Sequence, residues 1–183
     1  MLQKKRFPVK TKPSKSGTIQ IVTLGCSKNL VDSEYLIRQL QAGNLHVTHD
    51  TEEGEAGTVV INTCGFISDA RQESIDTILH YVKAKEEGFI NNLFVMGCLS
   101  QIYKKELERE ISEVDQYFGV DDLESVVKII GAEYRYDLSG ERSLTTPGHY
   151  AYMKISEGCD RTCSFCAIPL IRGRHLSKPV ESI

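Results

Sequence analysis

The sequence predicts an α/β protein in which a five-stranded parallel sheet carries helices on both faces. Apolar runs of strand length recur along the first two-thirds of the chain, and the longer segments between them place apolar residues at helical spacing. The 183 residues suffice for one well-buried core and the start of a second domain. No apolar run approaches the roughly 20 residues needed to span a bilayer, so a soluble protein without membrane association is expected.

Thr18–Leu24 (TIQIVTL) reads as the first strand, with Thr58–Asn62 (TVVIN) and Asn92–Met96 (NLFVM) as two more. Between the last two, Ile67–Gly88 has helical spacing, which gives the strand-helix-strand rhythm of parallel βαβ units. Weaker strand signals at Leu45–His49 and Asp115–Val120 and a helix at Asp121–Ile130 complete the sheet, whose strand order is expected to be flavodoxin-like. Asp32 and Glu34 are expected in the first turn of a helix, where acidic groups suit the dipole. This domain is assigned to residues 17–131, after an arm over 1–16 and before a linker over 132–149 that contains GERSLTTPGH. Residues 150–183 open a second domain: Tyr150–Ser156 (YAYMKIS) alternates like a strand, and KPVESI opens a helix with Pro179 near its first turn.

Charge is uneven. Met1–Ser16 holds six basic residues, no acid and two prolines, and reads as a disordered arm. The remainder holds 16 basic and 25 acidic residues, a charge of about −9, which disfavours a nucleic-acid backbone and suits a basic partner. The arm and TIQIVTLGC have the outline of a lipoprotein signal ending at Cys26, but the apolar part is too short and contains Gln20. Without an export signal, the six cysteines read as reduced ligands in the cytoplasm rather than as disulfides.

Cys26 follows VTLG, Cys64 follows VINT and Cys98 follows FVMG, so each stands directly after a strand. The carboxyl ends of parallel strands share one edge of an open sheet, and three thiolates gathered there make a metal site. Any one of these cysteines alone reads as a small buried core residue. Core residues have no reason to choose three equivalent strand ends. Gly25, Gly65 and Gly97 beside them let backbone approach a bulky group. Asn29 and Asn62 are candidate hydrogen-bond donors to sulfur, or ordinary loop and cap residues.

The second set lies in SEGCDRTCSFC, Ser156–Cys166, where Cys159, Cys163 and Cys166 have the spacing C-x3-C-x2-C. One short loop can place three such sulfurs around a cubane cluster and leave an iron open. A zinc ribbon would require a fourth ligand, for which only His175 is near. Electron-transfer proteins normally close each cluster with four cysteines. A flavin site needs a better phosphate cradle than TLGCSKN. Two three-cysteine sets therefore favour iron-sulfur chemistry. Arg161, Arg172 and Arg174 are candidates to meet a carboxylate or are solvated loop residues; His46, His49, His80 and His149 show no ligand spacing.

GCDRTCSFC, with the aromatic Phe165 before its last cysteine, resembles the radical S-adenosylmethionine signature. Together with the upstream cysteines and the stretches INTCGFI, VMGCLSQ and AIPLIRGRHLSKP, it makes the chain from about Thr18 onward resemble the radical S-adenosylmethionine methylthiotransferase family. Within that family GCSKNLVDSE resembles the RimO branch, which modifies an aspartate of a small-subunit ribosomal protein. The tRNA-modifying MiaB branch usually has Gln-Met-Asn after this cysteine. Lys178 stands where many relatives have Arg.

The resemblance implies two 4Fe-4S clusters. The one on Cys159, Cys163 and Cys166 would bind and cleave S-adenosylmethionine, with Phe165 as a cofactor-binding residue. The auxiliary one on Cys26, Cys64 and Cys98 would hold the sulfur to be inserted at the aspartate β-carbon, and a second S-adenosylmethionine would supply the methyl group. An electron donor such as flavodoxin or ferredoxin is implied, and no side chain is assigned as catalytic. The alternative substrate is a tRNA adenosine; the alternative of another class is a non-catalytic iron-sulfur electron-transfer or zinc-binding module. A radical S-adenosylmethionine TIM-like barrel needs on the order of 200 residues, so residues 150–183 supply only its first strand and cluster loop. The chain is accordingly expected to be truncated and inactive alone, with the open sheet edge facing the mouth of the barrel.

Overall fold

The structure, a computed structural model, describes residues 17–51 and 56–182; the basic arm over 1–16 lies outside them. Strands β1 (Ile19–Thr23), β2 (Val47–His49), β3 (Thr58–Thr63), β4 (Asn92–Gly97) and β5 (Gln116–Tyr117) form one sheet in the order β2-β1-β3-β4-β5. Every pairing is parallel, as the sequence predicts, and the order is that of flavodoxin-like sheets. Helices α1 (Ser27–Ala42), α2 (Ser68–Glu86), α3 (Cys98–Glu110) and α4 (Leu123–Ile129) supply the covering layers.

The strands read as nearly continuous apolar runs because both of their faces are covered. Ile19, Ile21, Val60, Phe94 and Met96 point to one face, where they pack with Leu36, Ile37 and Leu40 of α1 and Val126 and Val127 of α4. The alternate residues Val22, Val59, Ile61, Leu93 and Val95 pack with Ile78, Tyr81 and Val82 of α2 and Leu99 and Leu107 of α3. Each such aliphatic side chain contributes about 1.5–3 kcal/mol on burial, so the two layers hold the sheet rigid where it carries the cysteines.

α1 begins at Ser27, and no acid lies in its first turn. Asp32 and Glu34 thus fall one turn later than expected, and their role is pairing with distant residues rather than complementing the dipole. Glu34 is 1% exposed; its carboxylate accepts from the Thr145 N–H at 2.8 Å and pairs with Arg142 at 3.1 Å. The segment assigned as linker is by this means strapped along α1, with a further hydrogen bond from the Ser143 N–H to the Glu34 carbonyl.

Tyr150–Ser156 does not form the expected strand. Only Ser156–Glu157 (β6) is extended and paired, antiparallel to Leu176–Ser177 (β7), with the Lys178 N–H donating to the Ile155 carbonyl. Alternation fixes which side chains share a face, but a strand also needs a neighbouring backbone along its length, and among the described residues it finds one only at its end. The short helix α5 (Ile168–Arg172) lies between β6 and β7, and the expected helix after Lys178 is a single 3-10 turn, Val180–Ser182. Among the described residues no helix is long and apolar enough to cross a membrane.

Candidate metal centre at the strand ends

In the parallel register Thr23 stands opposite Asn62, and Thr63 opposite Gly97. The Leu24 N–H extends the β1–β3 ladder by donating to the Asn62 carbonyl at 2.9 Å. The three cysteines come next in the chain after these paired ends. Cys26 is the N-cap of α1, Cys64 stands directly after β3, and Cys98 opens α3. Two of the three therefore sit at helix N-termini.

The glycines beside them mark close approach. A Cβ on Gly25 would lie 2.4 Å from the Cys64 Cβ and 2.7 Å from its Sγ, and one on Gly65 would meet the Leu99 backbone at 2.9 Å. Gly25 and Gly97 also have φ of +90° and +103°, a region that side chains oppose. Cys64 is held through its backbone by Ser74, whose Oγ accepts from the Cys64 N–H at 3.0 Å and donates to its carbonyl at 2.9 Å.

Asn29, completely buried, ties the edge together. Its amide nitrogen donates to the carbonyls of Leu24 and Thr63, and its Oδ1 accepts from the Cys98 thiol at 3.5 Å and from Arg172 Nη2 at 2.7 Å. Both donors and both acceptor positions of the amide are thereby filled. Asn62 instead donates to the Asn29 carbonyl and to Ser33 Oγ, so its amide serves the scaffold rather than a sulfur.

Burial pushes the thiols of Cys64 and Cys98 above the usual thiol range, and the neighbouring cysteines raise them further. For Cys98 the Arg172 guanidinium, 3.4 Å from Sγ, works in the opposite direction. Thiols that raise one another and sit in a dry site gain most from a cation that takes their protons' place.

Arg172 is the residue of the site that the sequence did not single out from its neighbours. It is 5% exposed, on α5, and its Nη1 lies 2.6 Å from Asp32 Oδ2 and 3.4 Å from Glu157 Oε2. Lys154 bonds Asp32 at 2.6 Å and also Glu157, to which Lys28 adds a contact at 3.2 Å. Burial works against the charges of Lys154 and Arg172, but their acidic partners outweigh it and hold both protonated. Ile171 and Ala167 pack with Cys98, Val120 and Ile102, closing one side of the site with apolar surface.

Cys159, Cys163 and Cys166 lie on the loop between β6 and α5, Cys163 exposed and the other two half-buried. The Arg161 N–H approaches Cys159 Sγ at 3.5 Å, and the Cys166 N–H closes a turn onto the Cys163 carbonyl at 3.2 Å. Phe165 is 92% exposed. Among the described residues no three His, Cys, Asp or Glu side chains form a group that could hold a metal ion. A polynuclear cluster asks for something different, because each thiolate takes its own metal atom. Soft thiol donors, a glycine-lined edge and two helix N-termini fit such a group at Cys26, Cys64 and Cys98.

Lys178 reaches back to α1, donating to the Tyr35 hydroxyl at 3.0 Å with its ammonium 4.9 Å from the ring centroid. Its partner is 143 positions away, beyond the reach of any local pattern.

The chain is 54% identical over 175 residues to the ribosomal protein uS12 methylthiotransferase RimO of Cytophaga hutchinsonii, an alignment covering 96% of this chain and 40% of that protein. It is 57% identical over 169 residues to the protein of the same name from Bacteroides fragilis and 56% identical to that from Phocaeicola vulgatus, covering 92% of this chain and 39% of each. The chain thus spans about 40% of the length of the curated relatives it matches. Residues 18–119, which contain β1 to β5 and all three strand-end cysteines, match the uncharacterized protein family UPF0004, and the chain belongs to that family.

Proposed function

We propose that this chain forms the cluster-bearing part of a radical S-adenosylmethionine methylthiotransferase that acts on ribosomal protein uS12. The observation that carries the reading is the convergence of Cys26, Cys64 and Cys98 on one glycine-lined sheet edge, joined through Arg172 to the segment that bears a second three-cysteine set. The relatives named for uS12 methylthiotransfer support the choice of substrate. Two 4Fe-4S clusters and S-adenosylmethionine, when bound, supply the one-electron chemistry that an unactivated C–H bond demands and the sulfur and methyl group to be transferred.

The chain's own residues bind, orient and exclude water. Cys26, Cys64 and Cys98 hold one centre as thiolates, with Cys26 and Cys98 steadied by the N-termini of α1 and α3. Ser74 fixes the backbone of Cys64, and Asn29 fixes the spacing of β1, β3 and Cys98. Cys159, Cys163 and Cys166 hold the second centre on an open loop where a cofactor and Phe165 can meet it. The electron donor is a small redox protein such as flavodoxin or ferredoxin, and the work of the whole protein, carried out on a ribosomal protein, is cytoplasmic.

Intact-mass analysis of small-subunit ribosomal proteins, with tRNA nucleosides from the same extracts, tests the reading in cells with and without the full gene. Loss of a methylthio increment from uS12 alone is expected. Loss from tRNA instead refutes the substrate and retains the chemistry. Zinc in place of iron and sulfide after anaerobic reconstitution refutes the chemistry itself.

A further inference from the structure

We propose that Arg172 is a positioning residue of the strand-end site: it fixes a positive charge against the Cys98 sulfur and so raises the reduction potential of the centre held there. The inference rests on the iron-sulfur reading of Cys26, Cys64 and Cys98. The guanidinium is planar and its donors diverge in a rigid fork, so anchoring one arm aims the other. Nη1 is anchored by the carboxylates of Asp32 and Glu157, while Nη2 spans Asn29 Oδ1 and Cys98 Sγ. Lys154 and Lys28 pair with the two carboxylates in turn, so Arg172 is one of five charged side chains in a lattice from α1 and the 154–172 segment, and Asp32 and Glu157 are the two that aim it.

A salt-bridge clasp between α1 and α5 would need only the carboxylates. It would not require an N–H turned to sulfur, nor an Asn29 whose oxygen is shared between the guanidinium and the Cys98 thiol. Hydrogen bonds to cluster sulfur, local charge and the dryness of the surroundings are the means by which a protein tunes such a centre. Arg172 joins all three, because Ile171 beside it is 2% exposed and packs on Cys98. Reduction adds negative charge, which a guanidinium at this distance stabilises, so its removal makes reduction harder. Lys154 belongs to the same ionic lattice without a bond to sulfur and supplies the control.

The test is an anaerobic redox titration monitored by electron paramagnetic resonance. It uses the reconstituted chain with Cys159, Cys163 and Cys166 all replaced by alanine, so that iron binds only at the strand ends. Arg172→Gln is expected to lower the equilibrium constant for reduction at least about tenfold, which is about 59 mV for a one-electron couple. Lys154→Gln, which removes the same charge from the lattice, is expected to shift it far less. An unchanged potential in Arg172→Gln, or an equal shift in both variants, overturns the inference and leaves the cluster reading standing. Should Arg172→Gln fail to fold, Arg172→Lys carries the test: the charge is kept but the fork that turns an N–H to Cys98 is lost, so a lower potential is expected, and an unchanged one overturns the inference. Failure of the parent protein to take up iron at the strand ends overturns both.

Discussion

Replacing Gly25 by alanine puts a methyl group into a close-packed part of the strand-end site, and Gly131→Ala provides the yardstick. The two glycines have nearly the same φ, +90° and +95°, so the cost of forcing an L-residue to positive φ, about 1–2 kcal/mol, is common to both. At Gly131 the new Cβ meets nothing within 4 Å. At Gly25 it would stand 2.4 Å from the Cys64 Cβ and 2.7 Å from Sγ, far inside the roughly 3.5–4.0 Å of ordinary carbon contact. Cys64 has little freedom to step aside, since Ser74 holds both its N–H and its carbonyl. Overpacking of this kind costs about 1–3 kcal/mol. Gly25→Ala is therefore expected to exceed Gly131→Ala by about 1–3 kcal/mol, or about 2–12 °C in melting temperature for a chain of this size. Paired thermal melts of the iron-free proteins measure the difference, and iron content after reconstitution should fall only in Gly25→Ala. Equal melting losses would refute the claim that the Gly25 backbone and the Cys64 side chain meet at van der Waals limits.

Ser74→Ala orphans the buried N–H and carbonyl of Cys64 at about 1–3 kcal/mol per group; the urea midpoint should drop accordingly, while Thr77→Ala on the exposed face of the same helix should change it little. Glu34→Ala strips Arg142 of its carboxylate and should cost about 3–5 kcal/mol, with faster proteolysis between residues 139 and 149; cleavage at the parental rate would show that the strap does not depend on the pair. His80 has its pKa depressed by burial and by Lys83, so its neutral form is favoured in the folded state. The stability this contributes is complete above the unfolded value of about 6.5 and is lost as pH falls through that value toward the folded one. Between pH 7.5 and 5.5 the parent should therefore lose more melting temperature than His80→Gln, and parallel losses would contradict the assignment.

The sheet was legible because TIQIVTL, TVVIN and NLFVM are too short and too apolar for anything but strands covered on both faces, and their order comes from the helical spacing between them. The placement of Cys26, Cys64 and Cys98 just after the ends of β1, β3 and β4 was legible for the same reason: parallel strands all deliver their next residues to one edge. Asp32 was misplaced in function because its partners, Lys154 and Arg172, are 122 and 140 positions away and no local pattern announces an ion pair at that range. Ser74 was invisible on similar grounds: a serine inside a helix reads as a neutral residue until the carbonyl it serves is known. YAYMKIS misled because an alternating pattern specifies faces and leaves open whether a neighbouring backbone exists.

The order in which these parts enter the world has a consequence of its own. The strand-end thiols are complete as a set once residue 98 has been made, whereas Arg172 arrives 74 residues later. At the usual pace of about 5–20 residues per second, that interval is on the order of 4–15 s of translation. Through it the newborn chain adds α3, β5 and α4 and carries three strand-end thiols with neither the guanidinium nor the apolar cover of α5 in place. On the proposed reading, a donor of iron and sulfide would meet an open face in those seconds, and Arg172 would follow it.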